Sequence, residues 1–95
     1  MIEAYPKPPK RLKDLNSFGP RSEEILADVG INSVEEFMNI DPYDLYALIK
    51  PIKGMGLNSI YSIIGARENT SWIEIKNTRK MEILLRLDDL GLAPK

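Results

Sequence analysis

The sequence contains neither cysteine nor histidine. Without cysteine no disulfide can staple the fold, so a packed core must hold it, and the expected location is the reducing cytoplasm. Histidine is the commonest general base, and with cysteine it supplies most zinc sites. Composition leaves only a carboxylate-bound Mg²⁺ or Ca²⁺ open, and no EF-hand spacing supports one. No Walker loop, nucleophile elbow or dinucleotide fingerprint is present either. These absences argue against an enzyme and predict no metal and no cofactor. Long hydrophobic runs are missing too. Nothing approaches the roughly 18 apolar residues of a membrane span, and the N-terminus MIEAYPKPPKRLKDL lacks the apolar core of a secretory signal.

What is there is the balance of a folded domain, with 43% apolar and 28% charged residues in 95 positions. The net charge of −1 conceals strong segregation along the chain. Residues 1–22 hold five bases against two acids, and residues 23–49 hold seven acids and no base. Residues 50–67 hold three bases and no acid, and residues 68–95 balance at five of each. Such blocks produce charged faces that a total charge does not reveal.

Pro6, Pro8 and Pro9 predict an extended, basic, proline-rich arm over residues 1–10, followed by one helical domain over 11–95. A short helical turn is expected from Lys10 to Leu15. The next helix begins at Pro20, with Glu23 and Glu24 in its first turn, and stops at Gly30. Ser33 and Glu36 read as a capping box, and Asp41-Pro42 as a cap and first residue. Leu57 to Arg67 carries a broad apolar face and is expected to be central. Ser71 opens a short turn, and Asn77 or Thr78 caps a last helix that ends near Leu90 and Gly91. No run alternates as a strand would. The class is all-α, with five to six short helices, compact and without a sheet.

Residues 12–26 repeat as residues 49–63 at a constant offset of 37. Leu12, Leu15, Phe18, Gly19, Ser22 and Leu26 fall on Ile49, Ile52, Met55, Gly56, Ser59 and Ile63. Each copy places a glycine turn before a helix. Glycine lets a backbone approach closely, and the first N–H groups of a helix point outward without partners. With the helix dipole they form an anion site suited to a phosphate. Lys50, Lys53, Gly54, Gly56, Leu57, Asn58 and Arg67 around the second copy are the candidates, joined by Arg21 of the first copy and by Lys10, Arg11 and Lys13 of the basic N-terminal segment. Two readings stay open: a phosphate cradle, or a turn that only lets two helices pack. Tyr43, Tyr46, Tyr61 and Trp72 are expected in the core, although Tyr43 and Tyr46 could also present themselves beside the acidic block.

Phe18-Gly19-Pro20-Arg21-Ser22 and Gly54-Met55-Gly56-Leu57-Asn58-Ser59 resemble helix-hairpin-helix turns. The first copy has Ser17 where the second has Gly54. LNSFGPRSEEILADVGINSVEEF, then GLNSIYSIIGA, then the tryptophan of SWIEI and the leucine-rich last helix resemble the C-terminal domain of the TfoX/Sxy family over about four-fifths of the chain. That resemblance implies a helical domain related to helix-hairpin-helix and SAM-like folds, in a family linked to DNA competence and transcription regulation. Here the domain is expected to stand alone, without the family's N-terminal domain. Two functions follow. One is a regulatory module that binds DNA through backbone phosphates without reading base sequence. The other is a protein-interaction module, homo- or hetero-associating through the acidic helical face.

Overall fold

Gly19 and Pro20 start the first helix of the computed structural model, which describes residues 5, 7, 9–52 and 55–93. A 3-10 turn, Leu12–Asp14, precedes five helices: α1 (Pro20–Asp28), α2 (Val34–Asn39), α3 (Pro42–Ile49), α4 (Asn58–Glu68) and α5 (Trp72–Asp89). Among the described residues there is no strand.

Local chemistry accounts for most boundaries. At Gly30, φ is +89°, and the N–H groups of Gly30 and Ile31 close onto the carbonyls of Ala27 and Leu26, so α1 ends in a Schellman turn. Ser33 Oγ accepts from the Glu36 N–H at 3.0 Å, and Asp41 Oδ1 accepts from the Tyr43 and Asp44 N–H groups. The Glu36 carboxylate returns to the Asn32 N–H at 3.0 Å, one residue before the cap. These contacts start α2 and α3 where the sequence predicts.

One expectation fails. Asn77 and Thr78 do not open a helix, because α5 runs unbroken through them from Trp72, capped by Ser71. Thr78 Oγ1 donates to the Glu74 carbonyl at 2.7 Å, one turn back. Its hydroxyl is thereby spent inside the helix and cannot act as a cap.

α4 is the central element and packs against both α3 and α5. Ile60, Tyr61, Ile63, Ile64, Gly65 and Ala66 are all buried along it. Phe37, Leu45, Ile83 and Leu87 close around it with no side-chain exposure. Phe18 meets Phe37 edge to face, ring centroids 5.2 Å apart. Tyr46 and Tyr61 are buried, and Tyr43 and Trp72 pack against the core. Tyr46 sits on the inner side of α3 with Leu45 and Ile49, so the acidic face cannot present its ring.

The Tyr61 hydroxyl is buried and has no hydrogen-bond partner among the described residues. A stranded hydroxyl costs more than it returns, so Tyr61→Phe is expected to leave stability unchanged or raise it by up to about 1 kcal/mol. Urea unfolding of the two chains measures this directly.

Burial raises the pKa of the Tyr5, Tyr43, Tyr46 and Tyr61 hydroxyls above the ordinary value. For Tyr5 the Asn16 amide partly opposes the shift. Each group holds its proton more tightly folded than unfolded. Its contribution to stability is therefore complete below the unfolded pKa of about 10 and is lost as pH rises beyond it. Urea midpoints are expected to fall between pH 9 and pH 11, and less so in Tyr5→Phe.

Candidate nucleic-acid interface

The repeated segments meet in space. Between them lies a groove of about 490 Å³, lined by the turns and first helical residues of both copies. Phe18 faces it with its counterpart Met55, Ser22 with Ser59, Ile25 with Ser62, and Leu26 with Ile63. Its floor is apolar and its edge carries Ser17, Asn58 and the serines of each helix start.

The helices that open onto this groove differ from the rest in how they begin. α2, α3 and α5 each start with a serine or aspartate side chain bonded to backbone N–H groups. α1 and α4 have no such side-chain cap. In α1, Pro20 has no N–H to offer, the Ser22 N–H returns to the Gly19 carbonyl, and the Gly19 N–H donates to Ser22 Oγ at 3.1 Å. In α4, Ser59 Oγ turns instead to the Met55 sulfur at 3.7 Å. Among the described residues, none accepts from the N–H groups of Gly56, Leu57 and Asn58. Gly56 and Asn58 are exposed and Leu57 is half-buried.

The turn glycines separate the two readings of these turns. A Cβ placed on Gly19 or Gly56 would meet no heavy atom of the described residues within 4 Å, and neither residue has a positive φ. Helix packing therefore does not demand glycine at either position. Gly65 is the opposite case: a Cβ there would lie 2.4 Å from the Thr70 carbonyl oxygen and 2.7 Å from Ser17 Oγ. Ser17 itself sits at φ +74°, a conformation that favours glycine, and its hydroxyl donates to the Thr70 carbonyl at 3.0 Å.

Of the cations proposed around the second turn, Lys50 and Arg67 hydrogen-bond to backbone carbonyls elsewhere in the fold. Lys53 and Gly54 lie outside the described residues. Lys50 is exposed, and its Nζ donates to the Leu92 carbonyl at 3.1 Å. Arg67 is near the far end of α4, nine residues or about 13 Å along the axis from Asn58. Its Nη1 donates to the carbonyls of Phe37, Met38 and Ile40 at 3.3, 3.1 and 2.8 Å. Arg67 thus closes the C-terminal end of α2, where helix carbonyls lack partners.

More of the exposed positive charge lies on the segment that leads into the first turn. Lys10, Arg11, Lys13 and Arg21 are all exposed. Arg11 pairs with Glu23 at 2.7 Å, which lowers the Glu23 pKa through the hydrogen bond and the charge of Arg11 and raises that of Arg11. This pair removes Glu23 as an unpaired repulsive charge at the α1 start. Tyr5, unremarked in the sequence because it sits among prolines, is buried against the core. Its hydroxyl donates to the Ala66 carbonyl and accepts from the Asn16 N–H at 3.1 Å.

A family model for the TfoX C-terminal domain matches residues 8–87. The chain belongs to the TfoX C-terminal domain family. No curated protein and no solved structure matches it. Most of the expected interface of this TfoX C-terminal domain lies inside the matched span, and Tyr5 lies just before it. Among the described residues no group of carboxylates is placed to hold a metal ion, and no helix is long and apolar enough to cross a membrane.

Proposed function

We propose that this TfoX C-terminal domain is a regulatory module that binds DNA through backbone phosphates. The observation that carries the reading is the start of α4, which has no side-chain cap, meets the groove at Gly56 and leaves the N–H groups of Gly56, Leu57 and Asn58 without an acceptor among the described residues. Unpaired N–H groups at the α4 start are suited to a phosphate oxygen, and a missing Cβ leaves room for its approach. The family's link to competence and transcription fits a module that docks without reading base edges.

Fluorescence anisotropy with a short duplex at rising salt tests this. Binding is expected at 50 mM salt and lost as salt rises, with a slope near −0.9 for each phosphate neutralised. Gly56→Asp is the decisive variant. An acid at the start of a helix favours the fold, and no neighbour obstructs the new side chain. The variant should keep its melting temperature while duplex affinity falls at least fivefold. Absence of wild-type binding, or unchanged binding by Gly56→Asp, rejects the proposal.

A further inference from the structure

The Tyr5 hydroxyl ties Asn16, the end of a strongly basic stretch, to the end of α4. The Tyr5 hydroxyl takes the Asn16 N–H and gives its own proton to Ala66, whose carbonyl lies in the last turn of α4. That carbonyl is one of the helix-end acceptors with no intrahelical donor. Between these anchors Leu12 and Leu15 face inward and are buried, while Lys10, Arg11 and Lys13 are exposed. A second tie runs outward from Arg11 to Glu23 on α1. The stretch from Tyr5 to Asn16 holds four bases and one acid in a chain of net charge −1. It leads directly into the Asn16–Gly19 turn beside the groove, whose Ser17 and Phe18 line it.

We infer that residues 9–16 of this stretch are a preformed docking surface for a nucleic-acid backbone, and that Tyr5 is their positioning residue. The inference rests on the phosphate-binding function proposed above and adds a site with the exposed cations Lys10, Arg11 and Lys13. Charge complementarity selects the partner: a polyanion gains from exposed cations on a backbone already held in place, because less freedom is lost on binding. The lysines would otherwise ride on a chain end whose ordering opposes association.

A double-mutant cycle on duplex affinity tests the role of Tyr5. In the wild-type background, replacing Lys10 and Lys13 together by Gln is expected to lower affinity about tenfold and to flatten the salt slope by nearly two contacts. In a Tyr5→Ala background the same pair should cost threefold or less. Tyr5→Phe keeps the buried ring and loses both hydroxyl contacts. It should show the same loss of coupling in weaker form, so the question survives if Tyr5→Ala unfolds. Additive effects in both backgrounds reject the positioning role. Wild-type binding that ignores the Lys10 and Lys13 replacements rejects the surface while leaving the glycine turns in place. No wild-type binding at all removes the functional reading and this inference together. Salt-sensitive dimerisation in sedimentation that depends on Lys10 and Lys13, with duplex affinity unaffected, would assign the stretch to the acidic face of a second copy and overturn the inference.

Discussion

Gly65→Ala should destabilise the domain by about 2 kcal/mol, although the substitution adds a better helix former to the interior of α4. Two effects compete. Alanine is favoured over glycine inside a helix by roughly 1 kcal/mol. Against that, the new methyl would sit 2.4 Å from the Thr70 carbonyl oxygen and 2.7 Å from Ser17 Oγ, with the Trp72 backbone nitrogen at 3.4 Å. Overpacking typically costs 1–3 kcal/mol, with the upper end applying where the obstacle is backbone. Thr70 is backbone-locked, since its N–H bonds the Gly65 carbonyl at 2.9 Å in the turn that ends α4. The clash therefore wins. A loss of that size corresponds to a fall of roughly 10 °C in melting temperature for a domain this small. Ser17→Gly in the same chain should recover only a minor part, because it removes one of the two close contacts and leaves the Thr70 oxygen in place. Full recovery would show that the hydroxyl, and not the backbone, limits the approach of α4 to the Thr70 turn.

This glycine shows where sequence reading stops. The all-helical class, the Schellman end at Gly30, and the caps at Ser33, Asp41 and Ser71 are legible because each is settled within a few residues of itself. The repeat at offset 37 is legible too, and the structure turns it into paired walls of one groove. What local pattern misses is set by distant partners. Asn77 and Thr78 look like caps until the helix around them is fixed by packing of Ile75 and Ile83 in the core. Tyr5 looks like part of a loose arm because its hydroxyl partner, Ala66, is 61 positions away. Gly65 stands out only through likeness to the family's Gly-Ala helix ending, and the reason for it is a turn that begins after the helix is complete. At the candidate site, the residue types at the two turns are readable, but the direction in which Lys50 and Arg67 point is not. Long side chains choose among acceptors that only the assembled fold brings near.

Arg67 gives the sharpest separation between holding the fold and touching DNA. Its place in the basic block of residues 50–67 suggests a phosphate ligand, whereas its Nη1 serves three carbonyls at the end of α2. Hydrogen bonds to a charged donor are worth about 1.5–3 kcal/mol each, but three that share one nitrogen do not add. Arg67 is also half-buried, which tempers the effect. Arg67→Met, which keeps the aliphatic stem in contact with the core, is expected to cost about 2 kcal/mol in urea unfolding. Hydrogen exchange should quicken first in α2, whose C-terminal carbonyls lose their donor. Arg67→Lys should recover only part, since a single ammonium on a flexible stem does not match a planar donor fixed among several acceptors. Duplex affinity per folded molecule should stay within twofold of wild type in both variants, with an unchanged salt slope. A slope flattened by a full contact would instead mean that the guanidinium leaves α2 for a phosphate when DNA arrives. The binding surface would then extend from the Gly56 turn along the whole of α4.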